Sequence, residues 1–295
     1  MKRVNFRQSL IALSLIFTFS QDILASSFTV IDDDNNTVTF DGPAKRIISL
    51  SPHATELLFS AGATNQIVAV VNYSDYPPQA KKIPRIGSYK KIDLESVVKL
   101  NPDLIIAWNS GGPEQQISDL RKLGFKLYFS EPRTFEDVAS NIKNMGKILG
   151  TSGIADSNAS TYLKELTRLQ KKYNNLKQVN VFYQVWNKPL MTINNGHLIS
   201  NVIEFCGGYN VFADATIRAP KVGIESVIEK NPQAIIIGMS DNRKDWVEPW
   251  FQWRSINAVK NKHVYSVNAD LIVRQGPRIL QGAELVCEIL EKVRQ

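Results

Sequence analysis

Apolar and polar positions alternate along residues 28–40 (FTVIDDDNNTVTF), on both sides of an Asp/Asn turn, and this two-residue period predicts a β-hairpin. Short apolar runs follow at residues 46–50, 67–71, 103–108 and 126–129, each read as a buried strand. Between them, residues 51–59, 92–100 and 114–123 read as helices, the first closed by Gly62 and the last by Gly124, while residues 75–78 form a turn. Strands alternating with helices predict an α/β class built on parallel sheet. Residues 154–176 break that alternation. There Ala159, Tyr162, Leu166, Leu169, Tyr173 and Leu176 recur at steps of three and four, the period of one long amphipathic helix. A strand at 180–184, a helix at 199–206 stopped by Gly207-Gly208, a strand at 263–267 and a C-terminal helix complete the pattern.

The pattern also repeats. Residues 92–108 read IDLESVVKLNPDLIIAW and residues 222–238 read VGIESVIEKNPQAIIIG, so that Glu95, Asn101-Pro102 and Ile105-Ile106 meet Glu225, Asn231-Pro232 and Ile235-Ile236 at a constant offset of 130 residues. That offset exceeds the roughly 20–50 residues of a solenoid repeat and is about one domain long. Two lobes of similar build are therefore expected, at residues 26–152 and 178–295, bridged by the long helix at 153–177. Two lobes make a cleft, and clefts between domains are where ligands bind. A stiff helical bridge should hold that cleft nearly preformed.

The first residues change the compartment. Lys2, Arg3 and Arg7 precede an apolar run at residues 10–19, and Ala25 closes a secretory signal peptide read over residues 1–25. The run is shorter than the about 20 residues of a membrane anchor, no later run spans, and no Cys stands near the cleavage site to carry a lipid. The remainder is expected to be exported and soluble. The formal charge is +7, and the leader's three cations and Asp22 leave +5 on the rest, spread without a basic tract, which argues against nucleic-acid binding. Only Cys206 and Cys287 are present. They can bridge, or stand as two separate buried thiols; export and the even count favour the bridge.

Candidate catalytic chemistry is sparse. Of three histidines, none lies in a metal-ligand spacing, and no nucleophile elbow or P-loop occurs. His53 reads as an exposed residue at a helix N-terminus that could alternatively ligate a metal, and Glu56 as an ordinary first-turn carboxylate. Aromatic residues are more telling. Tyr73 in YSDYPP, Tyr89 after Gly87-Ser88, and Trp108 at a strand exit followed by polar Asn109-Ser110-Gly111-Gly112 are candidates for apolar ligand contact; Trp186 is another. Phe182, Phe205 and Trp250 read as core. Asp270 and Arg274 follow a strand exit in NADLIVRQGPR and read either as polar ligand contacts or as a surface loop ion pair. Glu95 and Glu225, matched across the repeat, read as a pair of docking charges.

The stretches RIISLSPHATELLFSAG, YSDYPPQAKKI, IDLESVVKLNPDLIIAW, IEFCGG and the C-terminal PRI…LVC resemble the helix-linked (class III) substrate-binding proteins of bacterial ABC importers. YSDYPP with Trp108 resembles the cobalamin-binding members in particular, and the likeness runs over nearly all of the chain after residue 25. The resemblance implies two Rossmann-like lobes joined by a single long α-helix, a corrinoid held in the cleft, and a periplasmic monomer. It implies delivery to an inner-membrane ABC permease dimer with its ATPase, with no chemistry and no cofactor, cobalamin being cargo. It implies ligand contacts at Tyr73 and Trp108, polar contacts at Asp270 and Arg274, permease contacts at Glu95 and Glu225, and a Cys206–Cys287 disulfide. Tyr89 stands where those members carry Trp, Ala219 and Leu271 replace aromatics, and Trp186 supplies an aromatic near another such position. Haem or a ferric siderophore is the alternative cargo, and an exported metal-dependent enzyme at His53 and Glu56 the alternative class.

Overall fold

The computed structural model describes residues 27–88, 90–240 and 244–295. The signal-peptide reading over residues 1–25 lies outside the described residues. The expected hairpin forms from β1 (Phe28–Ile31) and β2 (Thr37–Phe40), paired antiparallel with Phe28 opposite Phe40. Asp32 sets its turn: Oδ1 accepts from the backbone N–H groups of Asp34 and Asn36 at 2.9 and 2.8 Å.

The first lobe continues through β3 (Ile47–Ser49), α1 (Pro52–Ser60), β4 (Ile67–Val70), the small hairpin β5 (Gly87–Ser88) and β6 (Lys91–Ile92), α2 (Leu94–Leu100), β7 (Leu104–Ala107), α3 (Glu114–Lys122) and β8 (Leu127–Phe129). Its sheet is parallel throughout, in the order β4-β3-β7-β8. Next come α4 (Phe135–Leu149) and the bridging helix α5 (Ser152–Lys172). The second lobe contains β9 (Val179–Gln184), α6 (Leu198–Phe205), β10 (Gly208–Asn210), α7 (Ile224–Lys230), β11 (Ala234–Met239), the short α8 (Lys244–Val247) and α9 (Asn257–Lys260), β12 (Val264–Asn268), α10 (Ala269–Ile272) and α11 (Ile279–Arg294). This sheet too is parallel, in the order β10-β9-β11-β12. The chain is thus α/β with two lobes joined through one long helix, as expected.

The internal repeat maps onto matched structure. α2 and α7 each have seven residues, and each ends at an asparagine in the left-handed region, Asn101 and Asn231, both with φ of 43°. Asn tolerates that conformation better than most residues and stops the helix, and the following Pro cannot extend it. β7 and β11 then run through the middle of their sheets. Strand side chains alternate between faces, so Ile106 and Ile236 enter one core while Ile105 and Ile235 enter the separate cores on the far faces of their sheets.

The core shared by Ile106 and Ile236 is continuous across both lobes. α5 runs through it, burying Ala155, Ala159, Tyr162, Leu166 and Leu169 on one stripe. The helix begins two residues before the expected 154 and ends four before 176; Tyr173 is its C-cap and remains buried. Its first half holds the first lobe, with the Thr151 hydroxyl donating to the Ala61 carbonyl at 2.5 Å and Asn158 to that of Ser60 at 2.8 Å. Its last turns hold the second, where Arg168 and Lys172 meet Glu284 of α11 at 3.1 and 3.2 Å. α4 was not expected from the pattern, although Thr134 and Asp137 form a capping box at its start and Gly150 closes it. The Cys206–Cys287 disulfide is formed and ties the end of α6 to α11, as expected. No helix among the described residues is long and apolar enough to cross a membrane.

Candidate functional site

In an all-parallel sheet every strand delivers its carboxyl end to the same edge, and the connections leaving that edge form the binding surface of open α/β folds. Here those edges face one another, because the loops leaving them touch. Residues after β3, β4 and β8 of the first lobe meet residues after β10 and β12 of the second. Asn201 of α6 also donates to the Arg133 carbonyl, across the same gap, at 3.0 Å. The cleft lies between these edges.

On the first-lobe wall, Ser51 caps α1 by accepting from the Ala54 N–H at 3.3 Å, with Pro52 preset at the first helical position. This junction buries His53, whose Nε2 lies 2.9 Å from the Ser130 carbonyl at the exit of β8. Burial outweighs that bond and the nearby Glu131 charge, and lowers the His53 pKa to about 4, so the ring is neutral. Trp108, at the exit of β7, packs edge-on against His53 at 5.4 Å and is only partly covered. A side chain at Gly111 would collide with the Trp108 ring, so this glycine lets the loop fold back over the indole. The buried Trp108 Nε1–H meets no acceptor among the described residues. Tyr73 follows β4 with φ of 67° and is 68 % exposed.

Charge crosses the cleft in two places. At one, the Glu56 carboxylate of α1 is gripped by Arg278 through Nε at 2.9 Å and Nη2 at 2.6 Å, and touched by Arg274 Nη1 at 3.2 Å. Arg274 also holds Asp75 at 2.7 Å and Asp270 at 3.0 Å, and Arg278 lies 3.9 Å over the Tyr76 ring. Partial burial alone would raise the Asp75 carboxyl, but the Arg274 hydrogen bond and charge outweigh it and hold the pKa below its ordinary value. At the other, Arg218, in the connection after β10, pairs through Nη1 with Glu131 after β8, whose carboxylate also accepts from the Ser110 hydroxyl.

The second-lobe wall carries Trp186 at the exit of β9, about half exposed. Its ring meets Trp246 edge-on at 5.5 Å and its Nε1–H donates to the Lys188 carbonyl at 3.0 Å.

With this geometry in view, likeness to known proteins is informative. A family profile described as Periplasmic binding protein matches residues 47–271. The chain belongs to the periplasmic binding protein family. It is 39% identical over 250 residues to the vitamin B12-binding protein of Vibrio cholerae serotype O1 (strain ATCC 39541), covering 84% of this chain and 90% of that protein. It is 38% identical over 255 residues to the vitamin B12-binding protein of Vibrio vulnificus (strain YJ016), covering 86% and 92%. The crystal structure of the periplasmic vitamin B12 binding protein BtuF of Vibrio cholerae superposes with a TM-score of 0.80 at 37% identity, covering 86% of this chain and 99% of that one.

In this periplasmic binding protein, Tyr73, Trp108, Trp186, Asp270 and Arg274 all occupy connections at the carboxyl edges of the sheets, and Tyr89 lies outside the described residues. Asp270 and Arg274 do pair, but the pair is part of the cross-cleft cluster with Glu56 and Asp75, not a surface bridge. Two readings are corrected. His53 is buried, not exposed, because the β8 exit packs over it and supplies its hydrogen bond. Glu56 is no first-turn solvated acid: it is buried and committed to two arginines. With His53 bonded to a carbonyl and Glu56 to guanidinium groups, the arrangement offers neither as a metal ligand, which removes the footing of the metal-enzyme alternative. Glu95 and Glu225 are exposed in the first turns of their matched helices, Glu95 at 2.7 Å from its own Lys99. The sequence reading missed Arg218, Arg278, Glu131 and Asp75. Asp75, in the matched YSDYPP stretch, and Arg278, in the matched PRI stretch, carried usable signals.

Proposed function

We propose that this chain is an exported, periplasmic substrate-binding protein that captures a corrinoid, cobalamin, in the cleft and hands it to an ABC permease without chemical change. The reading is supported by Tyr73, exposed after β4, and Trp108, partly covered at the exit of β7, in a chain 39% identical to a vitamin B12-binding protein over 84% of its length. Large aromatic faces suit a broad macrocycle with apolar surface. Asp270 and Arg274 supply polar contacts to its rim, and Trp186 extends the apolar wall. Glu95 and Glu225, exposed on equivalent helices of two similar lobes, dock one to each half of a two-fold permease. The test is direct: the purified chain is incubated with cyanocobalamin, desalted and scanned. Retained corrin absorbance in stoichiometric amount is expected. Protein emerging colourless from cobalamin but coloured from haem or a ferric siderophore would replace the corrinoid reading.

A further inference from the structure

We infer that Arg218 is a ligand-recognising residue of the cleft, donating hydrogen bonds to an amide carbonyl or carboxylate at the rim of the bound molecule, with Glu131 as its positioning residue. The inference rests on the corrinoid reading above and deepens it by assigning part of its specificity.

Three observations lead here. Arg218 is fixed at both ends. Its carbonyl accepts from the Asn194 N–H at 2.9 Å and the Pro220 carbonyl from Thr192 at 3.1 Å, so the backbone on either side is pinned to the second lobe. Its head group is pinned to the first lobe by Glu131, a carboxylate only 2% exposed. That carboxylate is itself held by the Ser110 hydroxyl, and the Glu131 N–H donates to Asp33 at 2.5 Å. The second observation is what this leaves free. Guanidinium carries five N–H donors; the described residues engage only Nη1, while the side chain is 31% exposed. The remaining donors belong to a planar guanidinium fork, a group that binds a carbonyl or carboxylate in a fixed direction. The third is location. Ser110 lies two residues beyond Trp108, so the Ser110–Glu131–Arg218 chain ties this arginine to the loop that follows the indole. The neighbouring Ala219 is small and exposed, and leaves the approach open. A solvated surface arginine would lack the buried counterion, and a purely structural strap would have its donors consumed.

Cobalamin carries peripheral acetamide and propionamide chains, which supply such acceptors, and mild hydrolysis converts single propionamides to carboxylates. Binding of cyanocobalamin and of its separated monocarboxylates is measured by calorimetry for the unmodified chain, Arg218→Gln, Arg218→Lys and the double variant Glu131→Gln/Arg218→Gln. The double variant leaves no uncompensated buried charge and guards against misfolding. Arg218→Gln and the double variant should weaken cyanocobalamin at least tenfold, with Arg218→Lys between. At least one monocarboxylate should bind the unmodified chain more tightly than the parent, and that preference should vanish in both Gln variants. Unchanged affinity in the double variant overturns the assignment. So does an equal loss for every corrinoid with the carboxylate-to-amide ratio preserved, which is the mark of a strap. No cobalamin binding by the unmodified chain overturns the corrinoid reading itself, and this assignment with it.

Discussion

Replacing Glu56 by Ala removes the anion that joins two arginines across the cleft. The Glu56 side chain is 2% exposed, Arg274 9% and Arg278 15%, so all three groups sit where water screens them poorly. Arg274 retains Asp75 and Asp270, whereas Arg278 is left with the face of Tyr76 as its one remaining contact in the cluster. Breaking a buried pair by deleting one partner costs about 3–5 kcal/mol, and the partners left to Arg274 place this case at the lower end, about 3 kcal/mol. For a chain of this size that corresponds to a fall in Tm of roughly 6–12 °C. Glu56→Gln keeps an acceptor oxygen but no charge and should lose about half as much. Urea unfolding, followed by tryptophan fluorescence and far-ultraviolet circular dichroism together, gives the free energies. A cycle with Arg278→Ala should return a coupling of about 1–3 kcal/mol. If Glu56→Ala costs under about 1 kcal/mol, the cluster behaves like an exposed pair and the reasoning from burial fails.

Trp108→Ala should weaken corrinoid binding about tenfold or more, since burying an aromatic face gains roughly 1.5–3 kcal/mol; calorimetry on folded variant showing full affinity would leave Trp108 without a ligand role. The stability of the chain should fall with acid between about pH 6 and 4. Burial depresses His53 and His197 to about 4, so their stability contributions are present above 6.5 and lost as pH falls, while burial raises Asp33 to about 6, with the opposite sign. The net is about one proton, or roughly 1.4 kcal/mol per pH unit in that window, and His53→Gln should flatten it; a stability profile rising toward pH 4 would contradict the assignment. Glu95→Lys with Glu225→Lys should abolish corrinoid uptake in cells while leaving binding by the purified protein intact, each single change being milder; full uptake by the double variant would make both acids ordinary solvated residues.

The fold was legible where local pattern dictates it. Alternation marked the hairpin and runs of apolar residues marked the sheets. The Asn-Pro pairs at 101–102 and 231–232 marked two helix stops that the structure reproduces to within 2° in φ and ψ. α4 was equally legible, since Phe135, Val138, Ala139, Ile142, Met145, Ile148 and Leu149 recur at helical steps between the Thr134 cap and Gly150, although the expectation did not include it. The cross-cleft ion pairs were illegible for a physical reason. Glu56 and Arg278 are 222 residues apart and Arg218 and Glu131 are 87 apart, and no local feature separates a carboxylate facing water from one facing a distant guanidinium. His53 was misread on the same ground. Whether a helix N-terminal residue is exposed depends on what packs over it, here the exit of β8.

In the ion pairs that cross the cleft the charge is segregated, although Asp270 of the second lobe also holds Arg274. The first lobe contributes the anions Glu56, Asp75 and Glu131, and the second the cations Arg218, Arg274 and Arg278. Attraction between the lobes therefore needs no ligand. Two features oppose wide opening. α5 is hydrogen-bonded or ion-paired to both lobes at its two ends, and a single apolar core runs past it from one lobe into the other. A hinge motion must shear that close-packed core, which admits few intermediate arrangements, whereas a small separation at the cleft mouth need only exchange arginine–carboxylate bonds for bonds to water or ligand. The charged clusters, not the helix, are thus the part of the cleft expected to yield first to an incoming molecule. Because the cations of these cross-cleft pairs all come from the second lobe, the proposed ligand would compete for their donors with its acceptor groups while its apolar face met the aromatics of the first.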